Sequence, residues 1–297
     1  MKRPTLIVIT GATGSGKTAL AIEVAQRLGC HIISADSRQI YRGIPIATAA
    51  PTPEQLAAVH HHFVGMLDLD QYYSAAQFES DVMALLPQLW DDNEYAVMCG
   101  GSMMYIDAVT RGIDELPTVS DEVRRHSYNI YKEHGIERLR DELRRVDPVT
   151  YDRIDRNNHK RMIHALEVTL QAGVPYSSLC TGRVKERPFR VVKVAIDYPR
   201  DTLFDRINRR VLQMVADGLE AEARSVYHLR HLNSLNTVGI KEMFALFDGL
   251  MDRPTAISRM QKNTRVYAKK QLTWLRRLND TLMLPPMATA DDVLELL

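Results

Sequence analysis

Near its start the chain reads Gly11-Ala12-Thr13-Gly14-Ser15-Gly16-Lys17-Thr18, which is the spacing of a phosphate-binding loop between a strand and a helix. The short apolar run Leu6-Ile7-Val8-Ile9 precedes this loop and predicts a buried strand. After the loop, apolar residues recur at helical spacing until Gly29, a typical helix end. These apolar residues are Leu20, Val24 and Leu28. The motif therefore has the context that its chemistry needs.

The residue types of the loop suit the binding of an anion. Glycines allow the backbone to wrap closely around a phosphate, and the helix N-terminus adds partial positive charge. Lys17 is expected to neutralise the terminal phosphate, and the Thr18 hydroxyl to bind Mg²⁺. A glycine-rich turn with an incidental lysine is the alternative, which the flanking strand and helix disfavour.

Composition excludes several classes of protein. The 297 residues are 45% hydrophobic and 25% charged, which is typical of a globular chain with a substantial core. Because the net charge is +1, no global field favours nucleic acid, although local basic patches remain possible. The three cysteines are widely spaced, which argues against a disulfide framework or a cysteine zinc site. With no signal-peptide pattern and no long apolar run, we expect a cytoplasmic protein that does not span a membrane.

A carboxylate follows the next predicted strand, His31-Ile32-Ile33-Ser34-Ala35. Asp36 and Ser37 then lie at the carboxyl edge of the sheet, where open α/β sheets bind ligands. Asp36 could act as a general base or as an outer partner of magnesium. It could also simply cap the turn that follows.

The triple histidine His60-His61-His62 suggests a metal site, but adjacent histidines rarely converge on one ion and no partners stand at ligand spacing. We therefore predict a solvated turn there. Farther along, the apolar run Tyr95-Ala96-Val97-Met98-Cys99 predicts a buried strand that ends in Gly100-Gly101-Ser102. This glycine turn permits close backbone approach and supplies a small hydroxyl at the same edge.

The residue pattern of the chain changes after the first third. Helical, charge-rich sequence without strand-like runs extends over residues 115–187, and strand pattern returns at Arg190-Val191-Val192-Lys193-Val194-Ala195-Ile196. We predict a helical domain of residues 115–187 inserted into a core of residues 1–114 and 188–297.

Two further groups of basic residues stand out. Arg206 and Arg210 lie one turn apart on a predicted amphipathic helix, where they are either solvated or able to clamp a diphosphate. Near the C-terminus a basic run is interleaved with Tyr267 and Trp274 and contains no acidic residue, which favours an RNA-binding surface over a basic helix packed by its aromatics. The run comprises Arg259, Lys262, Arg265, Lys269, Lys270, Arg276 and Arg277.

Together these stretches resemble the tRNA dimethylallyltransferase (tRNA isopentenyltransferase) family along almost the whole chain. The phosphate loop alone is widespread, whereas the ordered set of motifs is specific. Besides the loop, the matching pieces begin at Asp36 (DSRQIYRG), Tyr73 (YSAAQF), Gly100 (GGS), Lys160 (KR), Ala165 (ALEV), Arg206 (RINRRV) and Tyr267 (YAKKQLTW). The resemblance implies an α/β fold with a P-loop NTPase-like parallel sheet core flanked by helices, plus an inserted all-helical domain that contacts tRNA.

The resemblance also implies an activity: transfer of a dimethylallyl group from dimethylallyl diphosphate to N6 of the adenosine 3′ of the anticodon in tRNA, with Mg²⁺ on Thr18. The implied catalytic residues are Asp36, Thr18, Lys17 and Arg210, with Asp36 taking the proton of the adenine amine. The implied diphosphate-binding residues are Gly11, Ala12, Thr13, Gly14, Ser15, Gly16, Lys17 and Thr18. The implied tRNA-binding residues are Asp36, Ser37, Arg38, Gln39, Ser102, Lys160, Arg161, Met162, Ile163, His164, Asn236 and Lys241. The expected partners are tRNA and dimethylallyl diphosphate, and the protein is expected to be a monomer.

The chain departs from the family pattern at a few positions. Ala50 replaces a common lysine, His164 a common arginine, Ile240 an expected aromatic residue, and Ser102 a more frequent threonine. Because the donor-site and base-site residues are intact, these departures favour an altered RNA footprint over lost activity.

Three other functions are compatible with parts of the sequence. A small-metabolite kinase would use the loop for ATP and Asp36 to orient a substrate hydroxyl. A noncatalytic RNA-binding protein could merely retain the loop. A prenyltransferase acting on free adenine nucleotides would leave the helical insertion and the basic C-terminal run without an obvious purpose.

Overall fold

The computed structural model describes residues 3–297, and within them the chain forms one parallel six-stranded sheet. The order across the sheet is β3-β2-β4-β1-β5-β6. The strands are β1 (Thr5–Gly11), β2 (Ile32–Ser34), β3 (His61–His62), β4 (Tyr95–Gly100), β5 (Arg190–Ile196) and β6 (Thr281–Leu284). The predicted parallel α/β fold is confirmed.

Helices connect the strands and cover both faces of the sheet. In the first half they are α1 (Lys17–Leu28), α2 (Pro45–Thr48), α3 (Pro53–Ala58), α4 (Ala75–Asp92), α5 (Met103–Arg111), α6 (Asp121–Val146, interrupted at Gly135), α7 (Pro148–Arg153), α8 (His159–Ala172) and α9 (Tyr176–Leu179). In the second half they are α10 (Arg200–Ala216), α11 (Leu219–Ser225), α12 (Ile240–Phe247), α13 (Arg253–Leu275) and α14 (Ala290–Leu294). Over residues 3–297, no helix combines the length and apolarity that a membrane crossing requires.

The central strand β1 explains why the sheet is parallel. All seven of its residues are buried, because helices cover both faces, and parallel strands of this kind read as continuous apolar runs. It pairs with β4 on one side, with Ile7 opposite Val97, and with β5 on the other, with Ile7 opposite Val192. The loops that follow β1, β2 and β4 therefore emerge side by side at one edge.

Alternate residues of β1 enter two apolar layers. Ile7 and Ile9 pack with Val24 of α1 and Val293 of α14 on one face. On the other face, Leu6 and Val8 pack in a layer whose largest fully buried side chain is Phe78 of α4. These layers fix the directions in which the loops at the carboxyl edge point.

The chain divides into two compact units. One contains the described residues up to Arg111 together with Glu186–Leu297, and holds the whole sheet. The other, Gly112–Lys185, is helical and has its own core around Leu139, Met162 and Leu166. The two ends of the helical unit meet, since the side chain of Lys185 packs directly against Gly112.

The prediction of a solvated turn at the triple histidine is wrong. His61 and His62 form β3, which pairs with Ile32 and Ile33 of β2. His60 and His62 lie 4.4 Å apart between ring centroids, and the Nδ1 of His31 is 3.0 Å from the Nε2 of His62. Among residues 3–297, no group of three or more histidines, cysteines or carboxylates is arranged to hold a metal ion.

The turn after β4 generates a prediction about packing. A Cβ atom at Gly100 would lie 2.1 Å from the carbonyl oxygen of Ala35, so the Gly100→Ala variant must displace the loop after β2. We expect a loss of at least about 2 kcal/mol in the free energy of unfolding, measured by urea denaturation. The control, Gly249→Ala, adds a Cβ in open space at a positive φ and should cost only about 1 kcal/mol. Equal stability of the two variants would contradict this account of Gly100.

Candidate active site

The loop between β1 and α1 has the backbone geometry that the sequence predicts. Gly14 and Gly16 have φ angles of 83° and 89°, which residues with a Cβ rarely adopt. Gly16 immediately precedes α1, so the loop leads directly into the N-terminus of that helix. The N–H groups of a helix N-terminus have no partners within the helix and favour an anion there.

Side chains from distant parts of the chain hold the loop in place. The Gln271 amide of α13 accepts a hydrogen bond from the Thr13 N–H (2.8 Å) and donates one to the Gly101 carbonyl (2.9 Å). Arg206 of α10 donates from Nε to the Gly14 carbonyl at 2.9 Å. The loop after β1 and the turn after β4 are therefore tied to each other through one buried side chain.

Two cations and one carboxylate are close together beside the loop. Burial lowers the pKa of Lys17, and the nearby Arg210 lowers it further, while Asp36 opposes these effects. Burial also lowers the pKa of the Arg210 guanidinium, which donates to the Thr13 hydroxyl at 3.2 Å. Burial therefore makes both positive charges more costly than in water, and an anion bound beside them would relieve that cost.

Asp36 has one oxygen engaged and one available. Its Oδ1 accepts hydrogen bonds from the backbone N–H groups of Arg38 (2.9 Å) and Gln39 (3.3 Å), so the carboxylate does cap the following turn. Within residues 3–297, no hydrogen bond to its Oδ2 is found. Beside it, the Ser102 hydroxyl accepts from the Ser37 N–H at 2.9 Å. Capping thus fixes the carboxylate and leaves one oxygen for chemistry.

A cavity of about 320 Å³ joins the loop to Asp36. Thr13, Arg210 and Asp36 form its polar side, and Asn236 and Lys241 also line it. The apolar wall of the cavity consists of Ala47, Ile207, Val211, Met214, Val238 and Met260. Tyr267 completes the lining, and its pKa is raised to about 12 by burial and by the Asp36 charge. The cavity can therefore hold an anion and an apolar group at once.

The segment that contains the departure at Ala50 is held from two sides. The Gln39 amide donates to the carbonyls of Thr48 and Ala49, and the Glu222 carboxylate accepts from the N–H groups of Ile46 and Ala47. These contacts set the position of the cavity wall around Ala47. The side-chain amide of Gln39, a residue predicted to bind tRNA, is therefore engaged in hydrogen bonds within the protein.

The remaining predicted tRNA residues lie in two places. Asn236 and Lys241 are exposed at the cavity, and Arg38 donates from its guanidinium to the carbonyls of Asn233 and Ser234. The stretch from Lys160 to His164 belongs to α8 in the helical unit. There Lys160, Arg161 and His164 are exposed and Ile163 is half-buried, whereas Met162 packs in the apolar core because it faces α6. The predicted tRNA contact of this stretch therefore depends on its exposed side chains.

Sequence reasoning missed two residues that shape the site. Gln271 appeared only as part of a matching motif, and Glu222 not at all, since their backbone partners lie far away in the chain. Ile207, Val211 and Met214 belong to the amphipathic helix predicted around Arg206 and Arg210, but nothing in their helical spacing distinguishes a cavity wall from core. The apolar wall was therefore not predictable from local pattern.

A parallel sheet that presents a glycine loop, a lysine and a threonine at the start of a helix defines a P-loop-like fold. The IPP transferase family model matches residues 39–278. The tRNA dimethylallyltransferase 2 of Parabacteroides distasonis is 53% identical over 92% of this chain and 91% of its own length. The tRNA dimethylallyltransferase 2 of Porphyromonas gingivalis is 51% identical over 98% of this chain and 97% of its own.

Solved structures agree with the sequence relatives. The full-length tRNA isopentenylpyrophosphate transferase of Bacillus halodurans superposes with a TM-score of 0.71 at 32% identity, over 99% of this chain and 94% of its own. The chain therefore belongs to the IPP transferase family, the tRNA dimethylallyltransferases, and the resemblance described from its motifs is confirmed. The alternative of a small-metabolite kinase is not supported.

The Gln271 bridge generates a second prediction. The Gln271→Ala variant leaves the buried Thr13 N–H and Gly101 carbonyl without their partner, and we expect it to cost about 2 kcal/mol in the free energy of unfolding. It should also weaken the binding of inorganic diphosphate, measured by calorimetry, because the loop loses its fixed shape. The neighbouring exposed residue provides the control, since Lys270→Ala should change stability by less than about 0.5 kcal/mol. Unchanged diphosphate affinity in Gln271→Ala would show that the bridge does not shape the anion site.

Proposed function

We propose that the protein transfers a dimethylallyl group from dimethylallyl diphosphate to N6 of the adenosine 3′ of the anticodon in tRNA. The observation that carries the proposal is one cavity with three kinds of lining. These are Thr13 of the loop with Arg210, the carboxylate of Asp36 with its free oxygen, and the apolar wall. Family membership supports the reaction class.

The loop side of the cavity suits a departing diphosphate. As the C–O bond of the donor breaks, negative charge grows on the diphosphate oxygens. The loop N–H groups, the Lys17 ammonium and the Arg210 guanidinium are already in position and partly shielded from water, where such charge stabilisation is largest.

Magnesium would bind at the start of α1. Mg²⁺ at phosphate sites takes few protein ligands and completes its shell with water and phosphate oxygens. The Thr18 hydroxyl suits this role, and Asp36 lines the same small cavity as Thr18. The ion would neutralise charge on the diphosphate; a cage made of protein side chains alone is absent from residues 3–297.

The acceptor side uses Asp36. The exocyclic amine of adenine is a weak nucleophile, because its lone pair is delocalised into the ring, so removal of its proton during attack aids the reaction. The Oδ2 atom of Asp36 accepts that proton while Oδ1 stays bonded to the turn. For this, the adenine must leave its stack and enter the cavity.

The apolar wall accounts for the transferred group. Five carbons of a dimethylallyl group gain contact with Ile207, Val211 and Met214 and leave water as they do so. Exclusion of water at this wall also protects the donor from hydrolysis.

The direct test of the proposal is transfer of label from radiolabelled dimethylallyl diphosphate to unmodified tRNA, with Mg²⁺ present. Labelled tRNA that yields N6-dimethylallyladenosine on digestion is the expected result. Transfer to free AMP at a comparable rate, or none to tRNA, would overturn the proposal.

The role of Asp36 generates a third prediction. Asp36→Asn keeps an oxygen that can accept the N–H groups of Arg38 and Gln39 but loses the basic carboxylate. We expect the single-turnover rate to fall by about 10² to 10⁴ with donor affinity changed less than about threefold. Rapid quench and calorimetry measure the two quantities. An equal loss of donor binding would assign Asp36 to the diphosphate instead.

The basic residues of α13 generate a fourth prediction. Lys269 and Lys270 are exposed, so the double variant Lys269→Ala with Lys270→Ala should weaken tRNA binding and flatten its salt dependence. Each lost phosphate contact lowers the slope of log K against log salt by about 0.7 to 0.9. Arg27→Ala, at the far end of α1, serves as a control that removes one positive charge from a helix other than α13. An unchanged slope in the double variant would mean that these lysines lie off the RNA.

A further inference from the structure

A second, smaller cavity is lined by residues of the phosphate loop and by His61, a polar residue that the proposed reaction does not use. Its volume is about 70 Å³, and its lining includes Lys17, Thr18, Asp36 and His61. A buried water needs about 10 to 15 Å³ of such volume and two to four polar partners, so the cavity has room for several.

His61 enters this cavity with a defined tautomer. Its Nδ1 is 2.8 Å from the carbonyl oxygen of Val59, and a carbonyl can only accept, so Nδ1 carries the proton and donates. The Nε2 atom is then an acceptor. It is fully buried and, among residues 3–297, has no hydrogen-bond partner. Burial also lowers the pKa of His61, which agrees with a neutral ring.

Two other groups that line this cavity, an ammonium and one carboxylate oxygen, also have no hydrogen-bond partner among the described residues. The Lys17 ammonium has three N–H donors, and within the described part of the chain no hydrogen bond from it is found. Asp36 contributes the free Oδ2. A buried acceptor and an unpaired ammonium that line one cavity are both costly to leave unsatisfied, and water satisfies both.

We propose that His61 is a positioning residue: its Nε2 accepts the terminal hydrogen bond of a short chain of buried waters that runs to the Lys17 ammonium and holds it toward the phosphate loop. The waters orient Lys17 for the diphosphate before the donor arrives, so that binding costs less ordering of the lysine. The identification of the anion as diphosphate rests on the proposed function, whereas the water chain does not.

Two substitutions at one position separate this role from a structural one. In His61→Gln the side-chain oxygen reaches the place of Nε2 and can accept from the water, but the bond to Val59 is lost. In His61→Asn the amide N–H stays near the place of Nδ1 and can still donate to Val59, but no acceptor reaches the cavity. A merely structural histidine is rescued by Asn, and a water-binding histidine by Gln.

The experiment measures the affinity of the full chain for inorganic diphosphate with Mg²⁺ by calorimetry. We expect His61→Asn to bind about five- to tenfold more weakly, while His61→Gln stays within about twofold of the unsubstituted protein. His60→Asn, at the exposed neighbouring position, is the matched control and should also stay within about twofold. A crystal structure of the unsubstituted protein should show ordered waters between Nε2 and Nζ, and that of His61→Asn should lack the water nearest to position 61.

Unchanged affinity in His61→Asn, or equal weakening in His61→Gln and His61→Asn, would overturn the inference, as would a cavity without ordered water. Failure of the proposed function gives a different result, namely no transfer of label to tRNA with the affinity pattern of the variants intact. Thermal denaturation of each variant checks that any loss of affinity occurs in folded protein.

Discussion

The side-chain amide of Gln271 is the contact on which the geometry of the site depends. It accepts from the loop after β1 and donates to the turn after β4, and both partners are backbone groups. Because it is buried, neither bond can be replaced by bulk water without cost. Helix α13 therefore does more than carry basic residues on its surface: from its inner face it sets the distance between the glycine loop after β1 and the turn after β4, which contacts the segment of Asp36.

The parallel sheet supplies the rest of the arrangement. Strands β2, β4 and β1 are neighbours, so their carboxyl ends bring Asp36, Ser102 and the phosphate loop to one edge although they are separated by tens of residues in the chain. Arg210 approaches from α10, the helix that follows β5 on the other side of β1. The segments that follow β2, β4 and β5 thus each contribute a charged or hydroxyl group to the site. Asp36 and Ser102 are held by hydrogen bonds to backbone N–H groups, and Arg210 by its bond to the Thr13 hydroxyl.

Local pattern predicted those features that local physics determines. The apolar run of β1, the glycines of the loop and the stop at Gly29 were readable because burial on both faces, positive φ angles and helix termination leave direct marks on residue choice. The strand over Arg190–Ile196 was found with the same bounds for this reason. His61 and His62 were misread because a two-residue edge strand has too few residues to show a period. The bridge made by Gln271, the clamp made by Glu222 and the apolar wall depend on contacts between distant segments, and no spacing in the sequence reveals them. Asp36 is the clearest example of what local pattern does not predict. From the sequence, capping of the next turn and a chemical role are alternatives, whereas in the structure one oxygen of the carboxylate caps the turn and the other is free.

The meeting of Lys185 with Gly112 has an evolutionary consequence. The helical unit begins and ends at residues that contact each other, so its length does not change the distance that the chain must span between α5 and β5. The pairing of the strands therefore places no limit on the size of this unit. The helical unit can therefore change in length without a change in the sheet or in the loops at its carboxyl edge. His164, on an exposed face of this unit, can therefore be substituted without a change in the sheet or in the loops at its carboxyl edge.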